Sequence, residues 1–177
     1  AEVNKISLLI HDDIEIHLSI ETKQAWRYLT ELKSTKQVKA FYLGVLDLFA
    51  DMKIPHSNID INNPTMMYIL SHFLVTCKSI DVKPVGFVYQ DFKDLDTFRK
   101  YIELEKSMGY NTKACISPAQ VSLVNKVFID NEEEITRAKT IVKLFEIHKK
   151  RGITGFVDEK YGFIDEPIYK GALAFLG

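Results

Sequence analysis

Apolar positions recur along this chain with two different spacings, and the spacing switches repeatedly from end to end. Val3, Ile6, Leu9 and Ile10 fit one face of an opening helix. Residues 14–20 alternate as a strand, and 22–32 return to helical spacing with Ala25, Trp26 and Leu29 inward. A second strand is predicted over 38–43, ending at Gly44, with a short helical turn over 47–52. A loop dense in Asn and Asp, 56–63, leads to Pro64, well placed to open a helix that runs to about Ser79. Strand three is predicted over 85–89. Asp94 then caps a helix that runs to Met108 and is stopped by Gly109. A fourth strand follows over 113–116 and a helix over 118–128. Asn131 is expected to cap a charged helix running to Arg151 and ended by Gly152. The tail, 153–177, holds a hairpin and a last short helix from Pro167.

Strands alternating with helices are the signature of βα units around a parallel sheet. There are four such units. A closed (β/α)8 barrel needs eight, in about 250 residues. The expected division is residues 1–152 as the βα part and 153–177 as a C-terminal extension.

Composition narrows the partners. With 46% hydrophobic residues over 177 positions, a sizeable core is available. A net charge of −1 gives no electrostatic ground for nucleic acid or an acidic membrane surface. No apolar stretch is long enough to cross a bilayer, and the N-terminus has no signal-peptide pattern. These features read as a soluble, cytoplasmic protein. Cys77 and Cys115 form no CxxC pattern and read as reduced thiols.

In α/β barrels the reacting groups sit where strands end. Glu21 follows the first strand, and Asp47 follows the second and its turn residue Gly44. Adjacent parallel strands bring two such ends within reach of one cation. Magnesium accepts two carboxylates if substrate oxygens and water complete its shell. The alternative is that both are helix N-terminal acids favoured by the dipole, and spacing alone favours that alternative. His72, in an apolar helix, and His17, inside a strand, read as structural. Met66 and Met67 read as packing. Glu132–Glu134 and Lys149–Arg151 suit the two ends of one helix.

Five segments in order resemble one family. Ile20-Glu21-Thr22, with Ala25 and Trp26 beyond, resembles an IET segment. Residues 44–51, Gly44 to Asp51, resemble G-x-x-D-L-x-A-D, and Val88 to Asp94 resembles the next strand and its loop. Gly109 to Val121, with Val124, Asn125 and Phe128, resembles G-F-x-G-K-x-x-I-H-P-x-Q-V…V-N…F. Ile164-Asp165-Glu166-Pro167 resembles I-D-x-P. These are motifs of the citrate lyase beta-subunit (HpcH/HpaI aldolase) family. The resemblance spans essentially the whole chain.

The resemblance implies an α/β chain of (β/α)8 TIM-barrel type, matching strands five to eight plus a C-terminal extension. It implies a magnesium-dependent carbon–carbon lyase, with Glu21 and Asp47 as metal ligands. The substrate implied is a 3-hydroxy-acyl thioester of citryl- or malyl-coenzyme A type, cleaved to an acyl thioester and a keto acid. A homo-oligomer, trimer or hexamer, is also implied. Relatives use the first acid of the tail motif across a subunit boundary for proton transfer, a place that Asp158 or Glu159 takes here only if the turn is shifted. The sequence departs from the pattern at Ser117 (usually His), at Gly86 (Asp in many relatives) and at Lys160, where the tail motif D-G-K-M-I-D is altered. Two other readings are a pyruvate-enolate aldolase of the same family working without coenzyme A, and a non-catalytic barrel half that depends on assembly.

Overall fold

Short apolar stretches bounded by polar residues leave this chain few ways to satisfy its backbone, and a parallel sheet is the one it takes. The computed structural model describes residues 2–129 and 132–176. Asn131, expected as a helix cap, lies outside them. The chain forms two units, Ala1–Phe128 and Ile129–Gly177.

In the first unit, β1 (Ile16–Ile20), β2 (Val38–Leu43) and β3 (Lys83–Val85) form a parallel sheet in that order. Ile20 pairs with Leu43 and Tyr42 with Val85, so the C-terminal ends of the strands lie side by side. Ile20, Phe41 and Leu43 are buried in one cluster with Met66, Leu70, Phe73 and Cys77 of α4 (Pro64–Ser79). That helix begins where the sequence says it should. The Asn63 side chain accepts from the backbone N–H groups of Thr65 and Met66, and Pro64 occupies the first turn, where its missing N–H costs nothing. Each large apolar side chain fully buried in this cluster contributes roughly 1.5–3 kcal/mol.

The remaining helices of this unit are α1 (Glu2–Ser7), α2 (Lys23–Arg27), α3 (Val45–Asp51), α5 (Leu95–Met108) and α6 (Pro118–Val127). Asp94 caps α5 by accepting from Thr97 N–H, and Gly109 ends it at φ +105°, a conformation natural only to glycine.

Several expectations shift. The opening helix stops at Ser7, so Leu9 is exposed rather than inward, while Val3 and Ile10 are half-buried against the core. Helix α2 ends at Arg27 and continues only as turns closed on the Tyr28 carbonyl, although Leu29 is buried as expected. The third strand lies over 83–85 rather than 85–89, and the fourth reduces to one parallel bridge between Gly86 and Lys113. The cause is local. Gly86 donates to Thr112 O and accepts from Ala114 N–H, after which Phe87 turns inward to meet Tyr101 edge-on at 5.1 Å. Pairing ends there because the side chains beyond Gly86 serve the core.

The second unit holds α7 (Glu132–Lys149), a hairpin of β4 (Gly155–Asp158) and β5 (Gly162–Asp165), and α8 (Glu166–Leu176). Ala138, Ile141 and Phe145 of α7 share a small core with Ile164 and Ala172, and Phe145 stacks on Tyr169 at 4.5 Å. The charged helix therefore groups with the tail. The units part between 128 and 129.

Candidate functional site

The register of β1 on β2 sets the geometry. Ile20 pairs with Leu43, and Gly44 N–H donates to Ile20 O at 3.1 Å, so the next residues on the two strands, Glu21 and Gly44, are neighbours. The Glu21 side chain lies flat against Gly44. A Cβ at position 44 would meet Glu21 Cγ far inside contact distance and Oε1 at 3.0 Å. Only glycine leaves that space for the carboxylate. Asp47 follows three residues later, exposed in the first turn of α3.

Asp51, the last acid of the same motif, has a different task. Its Oδ2 accepts from Lys23 N–H at 2.7 Å and its Oδ1 lies 3.9 Å from Lys23 Nζ. This ties the segment after β1 to α3, the two pieces that carry Glu21 and Asp47. Thr22 completes the exit by capping α2, accepting from Ala25 N–H at 3.1 Å.

Among the described residues no group of three or more His, Cys, Asp or Glu gathers as a metal cage. The arrangement that is present suits a hard cation. It offers the Glu21 carboxylate at the end of β1, seated in a cradle that a Cβ would fill, and the Asp47 carboxylate in the first turn of the helix that follows β2. Magnesium needs no more from protein when waters and substrate oxygens supply the remaining positions.

Beyond Asp47 the chain forms a 3₁₀ turn, His56–Asn58. His56, which the sequence pattern showed only as part of a polar loop, contacts Leu46 O through Nε2 at 3.0 Å. It lines a small recess of about 170 Å³ with Val45, Leu46, Ile59, Phe87 and Tyr89. The far wall is held by buried Gln120, whose Nε2 donates to Tyr89 O at 3.0 Å and whose Oε1 accepts from Ile116 N–H at 2.8 Å. Ser117 caps α6, its Oγ accepting from Gln120 N–H at 3.2 Å.

Below Phe87 lies a buried ion pair. Lys113 Nζ is 2.7 Å from Glu105 Oε1, both side chains are 0% exposed, and the ammonium sits 3.8 Å from the centre of the Phe87 ring. Burial pushes the Glu105 carboxyl up and the Lys113 ammonium down, each opposed by its partner. Gly86 borders this pair: a Cβ there would lie 2.6 Å from Glu105 Oε2.

The other candidates are structural. His72 packs between Trp26, at 5.1 Å, and Tyr68, at 5.5 Å. His17 meets Glu15 at 3.1 Å. Met66 is fully buried. Both cysteines are free, and burial pushes the Cys77 thiol up to about 12, which leaves it inert. In the second unit, Asp158 Oδ1 accepts from Lys160 N–H and Tyr161 N–H, both at 2.9 Å, and shapes the hairpin turn, while Glu159 is exposed at its tip.

Comparison with known proteins gives one consistent result. Residues 8–118 match the family described as HpcH/HpaI aldolase/citrate lyase. A citramalyl-CoA lyase of Rattus norvegicus mitochondria is 28% identical over 107 residues, 60% of this chain and 31% of that protein. The citrate lyase subunit beta of Leuconostoc mesenteroides is 25% identical over 126 residues, 71% of this chain and 40% of that protein. The chain thus spans less than half the length of these two relatives. Among solved structures, the Mycobacterium tuberculosis protein CitE in complex with magnesium, acetoacetate and coenzyme A superposes with a TM-score of 0.72. The overlap covers 98% of this chain and 63% of that one, at 16% identity. No helix among the described residues is long and apolar enough to cross a membrane.

Proposed function

The chain belongs to the HpcH/HpaI aldolase/citrate lyase family, and from that premise we propose that it is a magnesium-dependent carbon–carbon lyase acting on a 3-hydroxy-acyl-coenzyme A thioester of citryl or malyl type. One observation carries the reading: the Glu21 carboxylate is seated on side-chain-free Gly44, beside the turn that presents Asp47. The names of the relatives support the choice of substrate class. On this reading residues 1–152 correspond to the second half of a (β/α)8 barrel, strands five to eight. The working form on this reading is a homo-oligomer, a trimer or hexamer.

Glu21 and Asp47 would hold the metal through one or more carboxylate oxygens each. When bound, magnesium supplies Lewis-acid polarisation and orients the oxygens of the keto-acid part. The protein's own groups do the rest. Gly44 lets the Glu21 carboxylate lie against the backbone, and Asp51 keeps the β1 exit and α3 together. Cleavage leaves an enolate on the thioester, which takes up a proton at its α-carbon. We assign that delivery to a tail acid of a neighbouring subunit, Asp158 or Glu159, at the hairpin turn.

Isothermal titration with magnesium or manganese tests the metal assignment. One site is expected, abolished in Glu21→Gln and in Asp47→Asn. Gly44→Ala, whose Cβ evicts the Glu21 carboxylate, should weaken binding by about ten- to a hundredfold, the usual cost of disturbing a ligand's support. Unchanged binding in both carboxylate variants would overturn the assignment.

A further inference from the structure

Retro-aldol cleavage moves two protons, and the tail acids account for only one of them. As the C–C bond breaks, the substrate's hydroxyl must lose its proton. We infer that His56 is the base that takes it; the inference rests on the lyase reading above.

The tautomer follows from one contact. A carbonyl oxygen only accepts, so Nε2, 3.0 Å from Leu46 O, carries the hydrogen. In the neutral ring Nδ1 is then the basic nitrogen. Leu46 lies in the turn of α3 that presents Asp47, so the imidazole is anchored to the metal-binding turn itself. The anchor is firm. The 3₁₀ turn is closed by Asn58 N–H to Pro55 O and Ile59 N–H to His56 O, both at 3.0 Å. Tyr101 of α5 pins it further by donating to Ile59 O at 2.9 Å.

Position agrees with the role. His56 lines the recess of about 170 Å³ between the start of α3 and the segment that follows β3, beyond the C-terminal ends of β2 and β3, where reacting groups sit in α/β barrels. The apolar walls are Val45, Leu46, Ile59, Phe87 and Val88, with Tyr89, and Gln90 and Asp91 complete the lining with polar groups that can meet a substrate's oxygens. The remaining four histidines are placed otherwise: His11 bonds Asp13, His17 bonds Glu15, His72 is stacked in α4, and His148 contacts Leu144 O within α7. Ser117, at the position where the family usually has His, caps α6 and offers no basic nitrogen.

The step balances. Nδ1 takes the hydroxyl proton, and the O–H electron pair becomes the C=O bond of the departing keto acid. The C–C pair moves onto the thioester as its enolate. A tail acid of a neighbouring subunit then protonates the enolate carbon, and His56 returns its proton to solvent.

The test uses the protein in its native assembly, with magnesium and malyl- or citryl-coenzyme A. His56→Gln keeps an N–H donor for Leu46 O but has no basic nitrogen. Its kcat should fall about a hundred- to ten-thousandfold, the usual range for a lost general base, with the magnesium affinity unchanged. His56→Ala should regain turnover as free imidazole is added. Cleavage by His56→Gln at the parent rate overturns the inference and leaves the lyase reading standing. A parent protein that binds magnesium at Glu21 and Asp47 yet cleaves neither thioester overturns both.

Discussion

Gly86, Glu105 and Lys113 form one packing problem, and adding a single methyl group tests it. In Gly86→Ala the new Cβ would lie 2.6 and 2.7 Å from the two carboxylate oxygens of Glu105 and 2.8 Å from its Cδ. Ordinary contact begins near 3.4 Å, so the carboxylate must retreat by about 3.4 − 2.7 = 0.7 Å. That is enough to stretch its 2.7 Å bond to Lys113 Nζ past normal hydrogen-bond length, in a place where neither side chain is exposed to water. Overpacking of this kind costs about 1–3 kcal/mol. Glu105→Ala should cost more, about 3–5 kcal/mol, because it strands a buried ammonium. The double variant should cost no more than Glu105→Ala alone, since the methyl then occupies space the carboxylate has left. Urea denaturation of the four proteins, with m-values held constant as the check on two-state behaviour, gives the cycle. Costs of the two single changes that add within about 0.5 kcal/mol would show that Gly86 and Glu105 do not share this space. The outcome bears on the site, because the Lys113 ammonium lies against Phe87, a wall of the His56 recess.

Two further outcomes are expected. Hydrogen bonds from Thr97 hold the Asp94 carboxyl below the ordinary carboxylate range. A depressed carboxyl contributes stability above its unfolded value and loses it as pH falls through the folded one. Asp94→Ala should therefore destabilise the protein at neutral pH, with the gap to the parent closing in acid; a gap that widens on acidification in urea melts contradicts the cap. Sedimentation should show an assembly larger than one chain, since three paired strands leave open sheet edges and Leu8, Val75 and Val157 are prominently exposed. A compact 20 kDa monomer at micromolar concentration contradicts that.

Local rules made much of this protein legible in its sequence. Helix α4 begins at Pro64 behind Asn63, and α5 runs from behind Asp94 to Gly109, because caps and stops depend on neighbours a few residues away. Strand β2 spans the expected residues because its apolar side chains need burial wherever it lies. The motif resemblance pointed to Glu21 and Asp47, and strand register explains why the first of them needs Gly44 beside it. Tertiary structure decided the rest. Whether 113–116 forms a strand depends on what it pairs with, and its partner across the sheet at Gly86 offers a single bridge. Helix α7 groups with the tail because Phe145 finds Tyr169, a contact invisible to periodicity. Glu105 and Lys113, eight residues apart, show no sign in sequence of sharing one buried bond. His56 stood in a polar loop, where hydropathy carries no directional information. Only the folded chain brings its ring to the Leu46 carbonyl and so determines which nitrogen is the base.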